Sequence, residues 1–297
     1  MKAFINNYLH WILLLILVMI WGSSFILMKR TLEFYSNTEL GSLRIIFAGI
    51  VLLPFAFSRM RKLKKEQWFW IIIVGLVGNT IPAFLFAKAQ TGIDSSLAGI
   101  LNSTTPMFTL IVGLLFFHLK ANWLNFTGIL IGFIGAVMII IAKNNGHIDV
   151  NIQYSAYVIL ATVFYALNLN FVKYKLAKTD AITISSVSYV VMLPSISLYL
   201  FFGTDFINSV SQQGAQYALI YPAILGVLGS AIAIVIFNYL VKLSGVLFTA
   251  SVTYLIPIVA SIIGFIDGEI FKPTFLIWIS FILIGVFLVN KKKLRAK

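Results

Sequence analysis

Two prolines interrupt long apolar runs, and polar side chains gather at both. Pro106 follows Asn102, Ser103, Thr104 and Thr105, and Pro257 follows Thr249, Ser251, Thr253 and Tyr254. Proline has no N–H, so within a helix it frees the carbonyl four residues earlier, here those of Asn102 and Thr253. An unpaired carbonyl is costly in lipid and has to face protein, water or a ligand. Polar clusters at two matched kinks are what a solute site at mid-membrane needs. Asn102, Thr105, Thr253 and Tyr254 are therefore candidate substrate-binding residues, and Pro106 and Pro257 are candidate hinges. The competing reading is a pair of kinked packing helices whose hydroxyls bond back to their own backbone.

Further candidates come from two glycine pairs. Gly75-Leu-Val-Gly78 precedes Asn79, and Gly226-Val-Leu-Gly229 precedes Ser230, with Asn238 two turns on. Glycines three apart let helices approach closely, which makes Asn79 and Asn238 either lining groups or incidental to tight packing. Trp21 with Ser24, and Tyr165 with Asn168, set an aromatic ring over a polar floor, an arrangement suited to an amphiphilic solute. In a chain with 26 Phe, plain packing competes with that reading too.

Charge placement narrows the chemistry. Arg44 lies about a turn inside an apolar run. An intramembrane arginine is costly and marks function by default, but near a span end it can snorkel to the interface, and snorkelling is the expectation here. All nine acids fall in loops or at expected span ends, and His10, His118 and His147 are peripheral. Proton-driven carriers commonly titrate an embedded acid or histidine. The expectation is therefore no central carboxylate, with Asp267 and Glu269 the only titrating exceptions. The absence of cysteine excludes disulfides and thiolate metal sites, and no His-Glu-x-x-His pattern occurs. No catalytic residue, metal or cofactor is expected.

The elements that must position these groups are long apolar helices. The 297 residues are 60% hydrophobic and 10% charged, with a mean hydropathy of +0.99, against roughly a quarter charged in a soluble domain. Long continuous runs, not alternating strands, identify an all-α membrane protein. Ten spans are expected, near 9–28, 40–58, 67–88, 93–117, 122–142, 153–173, 183–203, 216–240, 244–266 and 273–290. Tyr8, Trp11, Trp68, Trp70, Trp123, Tyr154 and Tyr217 lie near their ends as interface anchors. With the amino end cytoplasmic, 16 Lys and Arg fall on the inside and 5 outside, Arg44 completing the 22. That asymmetry predicts a multi-pass protein of the cell (inner) membrane with both termini cytoplasmic. The net charge of +13 then serves orientation and contact with the lipid bilayer, not nucleic acid.

The chain also repeats. Gly75 and Gly226, Gly78 and Gly229, Pro106 and Pro257, and Gly113 and Gly264 are all separated by 151 residues. Five spans per half make the halves, 1–145 and 146–297, enter the membrane in opposite directions as inverted repeats. The expected path runs between spans one, three and four of the first half and six, eight and nine of the second. Spans two, five, seven and ten are expected to face lipid or a partner. Gly128-Ile-Leu-Ile-Gly132 is a small-residue face that either packs against span ten within the fold or forms a homodimer seam.

With ten spans in two halves, Trp21-Gly22-Ser23-Ser24-Phe25, the Gly-rich third and eighth spans, and proline in the fourth and ninth, the whole chain resembles an EamA-type member of the drug/metabolite transporter superfamily. Glu269 and the tail Ile284-Gly285-Val286 fit as well, whereas His118 stands where the second half has Glu269. The resemblance implies export or exchange of small organic metabolites, such as amino acids or drug-like amphiphiles. A lipid flippase or membrane scaffold, a channel and an intramembrane enzyme are the competing classes.

Overall fold

The computed structural model describes residues 2–93, 95–143, 151–266 and 274–290. Asp94, His147, Asp149, Asp267 and Glu269 lie outside them. The described residues are helical throughout, without a strand. The chain begins with α1 (Lys2–Gly22), α2 (Ser24–Leu32), α3 (Asn37–Met60) and α4 (Lys65–Val74), followed by a π-helical stretch, π1 (Gly75–Thr80). Next come α5 (Ile81–Ala89), α6 (Ser95–Asn102), α7 (Thr105–Phe117), α8 (Trp123–Lys143), α9 (Ile152–Tyr174) and α10 (Ala181–Gly203). Short α11 (Phe206–Val210), α12 (Ala215–Ala218) and α13 (Ile220–Ile224) lead into a second π-helical stretch, π2 (Leu225–Ile232). The chain closes with α14 (Ala233–Ser244), α15 (Val246–Ala250), α16 (Val252–Ile266) and α17 (Thr274–Asn290).

Six helical runs are long and apolar enough to cross a membrane: Tyr8–Leu32, Asn37–Met60, Lys65–Ala89, Ile152–Tyr174, Ala181–Gly203 and Ala215–Ser244. Thr105–Phe117, Trp123–Met138, Val246–Val259 and Leu276–Val289 are shorter apolar helices. The polarity is inside-out relative to a soluble fold. Leu15, Met19, Phe57, Leu115, Phe116 and Phe202 are exposed, while Ser185, Ser186, Ser188, Ser230, Asn170 and Thr162 are fully buried. An apolar belt of that extent is a liability in water and the natural surface in lipid. Trp123 and Tyr217 are well exposed at helix ends, consistent with an interfacial position.

Two long helix pairs frame the molecule: α3 packs along α10, and α8 along α17. Glycine determines the second pair. A Cβ at Gly128 would meet the Gly285 carbonyl at 2.7 Å, and one at Gly285 would meet the Gly128 carbonyl at 2.6 Å. The small-residue face of α8 is thus used inside the fold. Asn125 Nδ2 closes the end of this seam by donating to the Val289 carbonyl at 2.9 Å.

The repeated glycine pairs are the π-helical stretches. Added Cβ atoms explain the spacing: at Gly75 one would meet the Ser188 carbonyl of α10 at 2.8 Å, and at Gly226 the Arg44 carbonyl of α3 at 2.9 Å. Gly78 is pressed against Asn168 of α9, and Gly229 lies against Ser24 of α2. Each glycine pair therefore touches helices of the other half. Pro82, just after π1, cannot donate to the Gly78 carbonyl, which favours the wider turn there. No proline follows π2 closely, and the glycine pair is what the two stretches share.

Polar caps set the helix ends. Ser36 and Glu39 form a reciprocal capping box on α3, and the buried Glu39 also accepts from Ser209 Oγ at 3.0 Å. Asp180 caps α10, accepting from Thr183 N at 2.9 Å and Thr183 Oγ1 at 2.6 Å. Lys242 Nζ donates to the Leu176 carbonyl at 2.8 Å just beyond α9, where a cation suits the helix dipole.

Two measurements check this account. Gly285→Ala puts a methyl group into backbone and is expected to cost about 1–3 kcal/mol. Gly99→Ala, where an added Cβ meets nothing within 4 Å among the described residues, is expected to leave the melting temperature of the purified protein unchanged or higher, since alanine favours a helix over glycine. The second measurement concerns Asp180. Partial burial raises its carboxyl pKa, but the Thr183 bonds and the Arg59 charge outweigh this and hold it below the usual carboxylate value. A carboxyl depressed in the fold stabilises it above the unfolded pKa, and that contribution is lost as pH falls through the folded value. Asp180→Ala is therefore expected to cost about 1 kcal/mol near neutral pH, with the gap in melting temperature narrowing at about pH 3.

Candidate functional site

The helices form a polar-aromatic cavity where elements of both halves meet. About 80 Å³ of it is open to the centre of a water molecule, room for several waters. Its first-half walls are Trp21 of α1, Ser24 of α2, Arg44 of α3, Asn79 of π1, Asn102 of α6 and Thr105 of α7. Its second-half walls are Tyr165 and Asn168 of α9, Tyr189 of α10, Ser230 of π2 and Thr253 of α16. Phe25, Met28, Phe86, Phe237 and Ile256 make the apolar remainder. Among the described residues, no lining side chain comes from α8 or α17, and none is an acid.

Eight of the ten candidate binding residues are brought together here: Trp21, Ser24, Asn79, Asn102, Thr105, Tyr165, Asn168 and Thr253. Asn238 and Tyr254 are not among the lining residues. Asn238 Nδ2 donates to Ser185 Oγ at 3.0 Å, holding α14 to α10. Tyr254 is fully buried, and its hydroxyl donates to the Ile129 carbonyl of α8 at 2.9 Å. Both polar groups are used in helix packing.

The proline-freed carbonyls find partners. Pro106 is the second residue of α7, after a break at Ser103 and Thr104. It thus sits where a helix start tolerates proline, not at the mid-helix kink expected. The Asn102 carbonyl accepts from Thr105 Oγ1 at 2.7 Å. Pro257 lies inside α16, and the Thr253 carbonyl receives Ser103 Oγ from the other half at a long 3.4 Å. The Gly229 carbonyl of π2 accepts from Trp21 Nε1 at 2.9 Å, which fixes the indole at the cavity edge. Phe237 meets that ring edge-on at 5.1 Å, and Tyr165 stacks on Phe86 at 5.9 Å.

Not every polar atom is satisfied. Asn79 Nδ2 donates to Ser188 Oγ at 3.0 Å, but its Oδ1 has no partner among the described residues, and neither does Oδ1 of Asn168, a residue only 2% exposed. Buried amide oxygens without donors are uncommon, and both residues border the cavity.

Two expectations are corrected. Arg44 does not snorkel away from the path. It lines the cavity, and its Nε donates to Ser230 Oγ at 2.7 Å. Nor do the second and seventh spans face only lipid, since α3 supplies Arg44 and Ile45 and α10 supplies Tyr189. The missed signal is Ser185-Ser186-Val-Ser188-Tyr189, where residues three and four apart share one helix face.

With the geometry established, the family follows from comparison. A model of the EamA-like transporter family matches residues 9–141 and again 154–291. An archaeal protein from Archaeoglobus fulgidus, described as an uncharacterized transporter, is 29% identical over 196 residues, 64% of this chain and 66% of its own length. A probable terminal-alkyne amino-acid exporter of Streptantibioticus cattleyicolor is 25% identical over 95% of this chain and 93% of its own. A solved crystal structure superposes with a TM-score of 0.73 at 15% identity, covering 94% of this chain and 95% of that one, which supports the same fold. Matched twice along nearly its whole length, the chain belongs to the EamA-like transporter family.

Proposed function

We propose that the protein is a carrier that moves small organic solutes across the cell membrane by alternating access, with Trp21, Ser24, Asn79, Asn102, Thr105, Tyr165, Asn168 and Thr253 contacting the solute. The observation that carries this reading is a cavity lined by both polar and aromatic side chains and built from both halves of the chain. A channel needs a continuous polar path, whereas Phe25, Met28, Phe86, Phe237 and Ile256 interleave apolar groups with the polar lining of this cavity. In this reading the spans number ten, arranged as inverted repeats over residues 1–145 and 146–297, with both termini cytoplasmic. The matched contacts of the two glycine pairs with the opposite half support it. The break at Ser103 and Thr104 and the proline kink at Pro257 are the points about which the halves rock.

The name of the Streptantibioticus relative supports amino acids among the solutes. The described lining holds no carboxylate, which favours uniport or exchange over a proton cycle at the cavity, with export as the direction. The test is counterflow in proteoliposomes. Labelled amino acids and aromatic carboxylates offered outside are expected to enter faster when the same unlabelled solute is inside. Entry at the same rate without internal solute indicates a channel, and chemical change of the solute indicates an enzyme. The double variant Pro106→Ala, Pro257→Ala is expected to fold and to exchange solute at least several-fold more slowly. Wild-type exchange in that variant removes the hinge role.

A further inference from the structure

Arg44 is the one cation among the described residues lining the cavity, and its surroundings do not neutralise it. Its Nε is held by Ser230 Oγ at 2.7 Å. No carboxylate lies within 4.0 Å among the described residues, and neither terminal guanidinium nitrogen has a hydrogen-bond partner there. The nearest acid in sequence, Glu39, is committed elsewhere, accepting from Ser36 N and Ser209 Oγ. Tyr165 of α9 and Tyr189 of α10 border the same cavity. An arginine held through Nε presents its two remaining nitrogens as a planar fork, the geometry that pairs bidentately with a carboxylate. Arg44 is partly buried, and a charge within a membrane span that has no counter-ion among the described residues is costly, so an anionic ligand supplies it with a partner.

We infer that Arg44, flanked by Tyr165, Tyr189 and Ser230, forms the anion subsite of the cavity, and that the preferred solutes are amphiphilic carboxylates whose apolar part lies against Trp21 and Phe86. The inference rests on the carrier reading only for transport; binding itself does not require it. The phenol and serine hydroxyls donate to the carboxylate alongside the guanidinium. Cationic amphiphiles are disfavoured because no acid among the described lining residues offsets Arg44.

The experiment uses the full chain, purified in detergent, and three shape-matched probes: 3-phenylpropionate, 3-phenylpropionamide and 3-phenylpropylamine. In the wild type the acid is expected to bind on the order of 10- to 100-fold more tightly than the amide, the range of a charge-assisted hydrogen-bonded pair, with the amine weakest. Arg44→Gln is expected to bring the acid-to-amide ratio to about one, while Arg44→Lys, which keeps the charge but loses the fork, leaves an intermediate ratio. Should the glutamine variant fail to fold, the wild-type ratio and the lysine variant still decide. Equal affinities for acid and amide in the wild type, no binding of any probe, or an undiminished ratio in both variants overturns the inference. Counterflow of labelled 3-phenylpropionate separates the two claims. Selective binding without trans-acceleration keeps the anion subsite and removes the carrier, whereas trans-acceleration of all three probes alike keeps the carrier and removes the subsite.

Discussion

A backbone carbonyl buried in a bilayer has no water to bond, and the fold is organised around meeting that demand where its helices are irregular. Proline and π-helical turns free carbonyls at several points. Thr105 covers Asn102, Trp21 covers Gly229, and Ser103 reaches Thr253. Elsewhere Tyr254 bonds Ile129 and Asn170 approaches Thr109. Most of these contacts join segments far apart in sequence, so the requirement that every buried carbonyl find a donor also specifies which helices lie side by side. The cavity sits where these irregular segments converge, because that is where helical backbone is interrupted and polar side chains are already needed.

Much of the site was legible from two features, the proline–hydroxyl clusters and the aromatic–polar pairs at Trp21 and Tyr165. Both are local patterns whose chemistry can be read without knowing what they face. The two candidates that fell outside, Asn238 and Tyr254, illustrate the limit. Their polarity was read correctly, but the partner of a buried polar group depends on which helix lies opposite, and hydropathy carries no such information. Arg44 was misjudged for a related reason. Depth along a span gave an interfacial escape, whereas the close approach of α3 to Gly226 turned the side chain towards Ser230.

The six membrane-length helices were evident from hydropathy, but their irregularity was not. The run from Trp68 to Ala89 is almost continuously apolar, and the Gly75–Gly78 pair and Pro82 within it mark where the wider turn forms. In both copies the glycines serve close approach to the opposite half, which is why their separation of 151 residues survives where the surrounding side chains differ. The serine-rich face of α10 was hidden by average hydropathy, because three buried serines weigh little against the valines and isoleucines around them.

The seam between α8 and α17 has a consequence for how the molecule is made. The two helices interlock backbone to backbone through Gly128, Gly132 and Gly285, yet the chain from residue 143 to residue 274 separates them. At a synthesis rate of roughly 5–20 residues per second, the groove on α8 stands empty for on the order of ten seconds after it leaves the ribosome. During that interval lipid or an insertion chaperone must fill it. The seam closes only when α17 arrives.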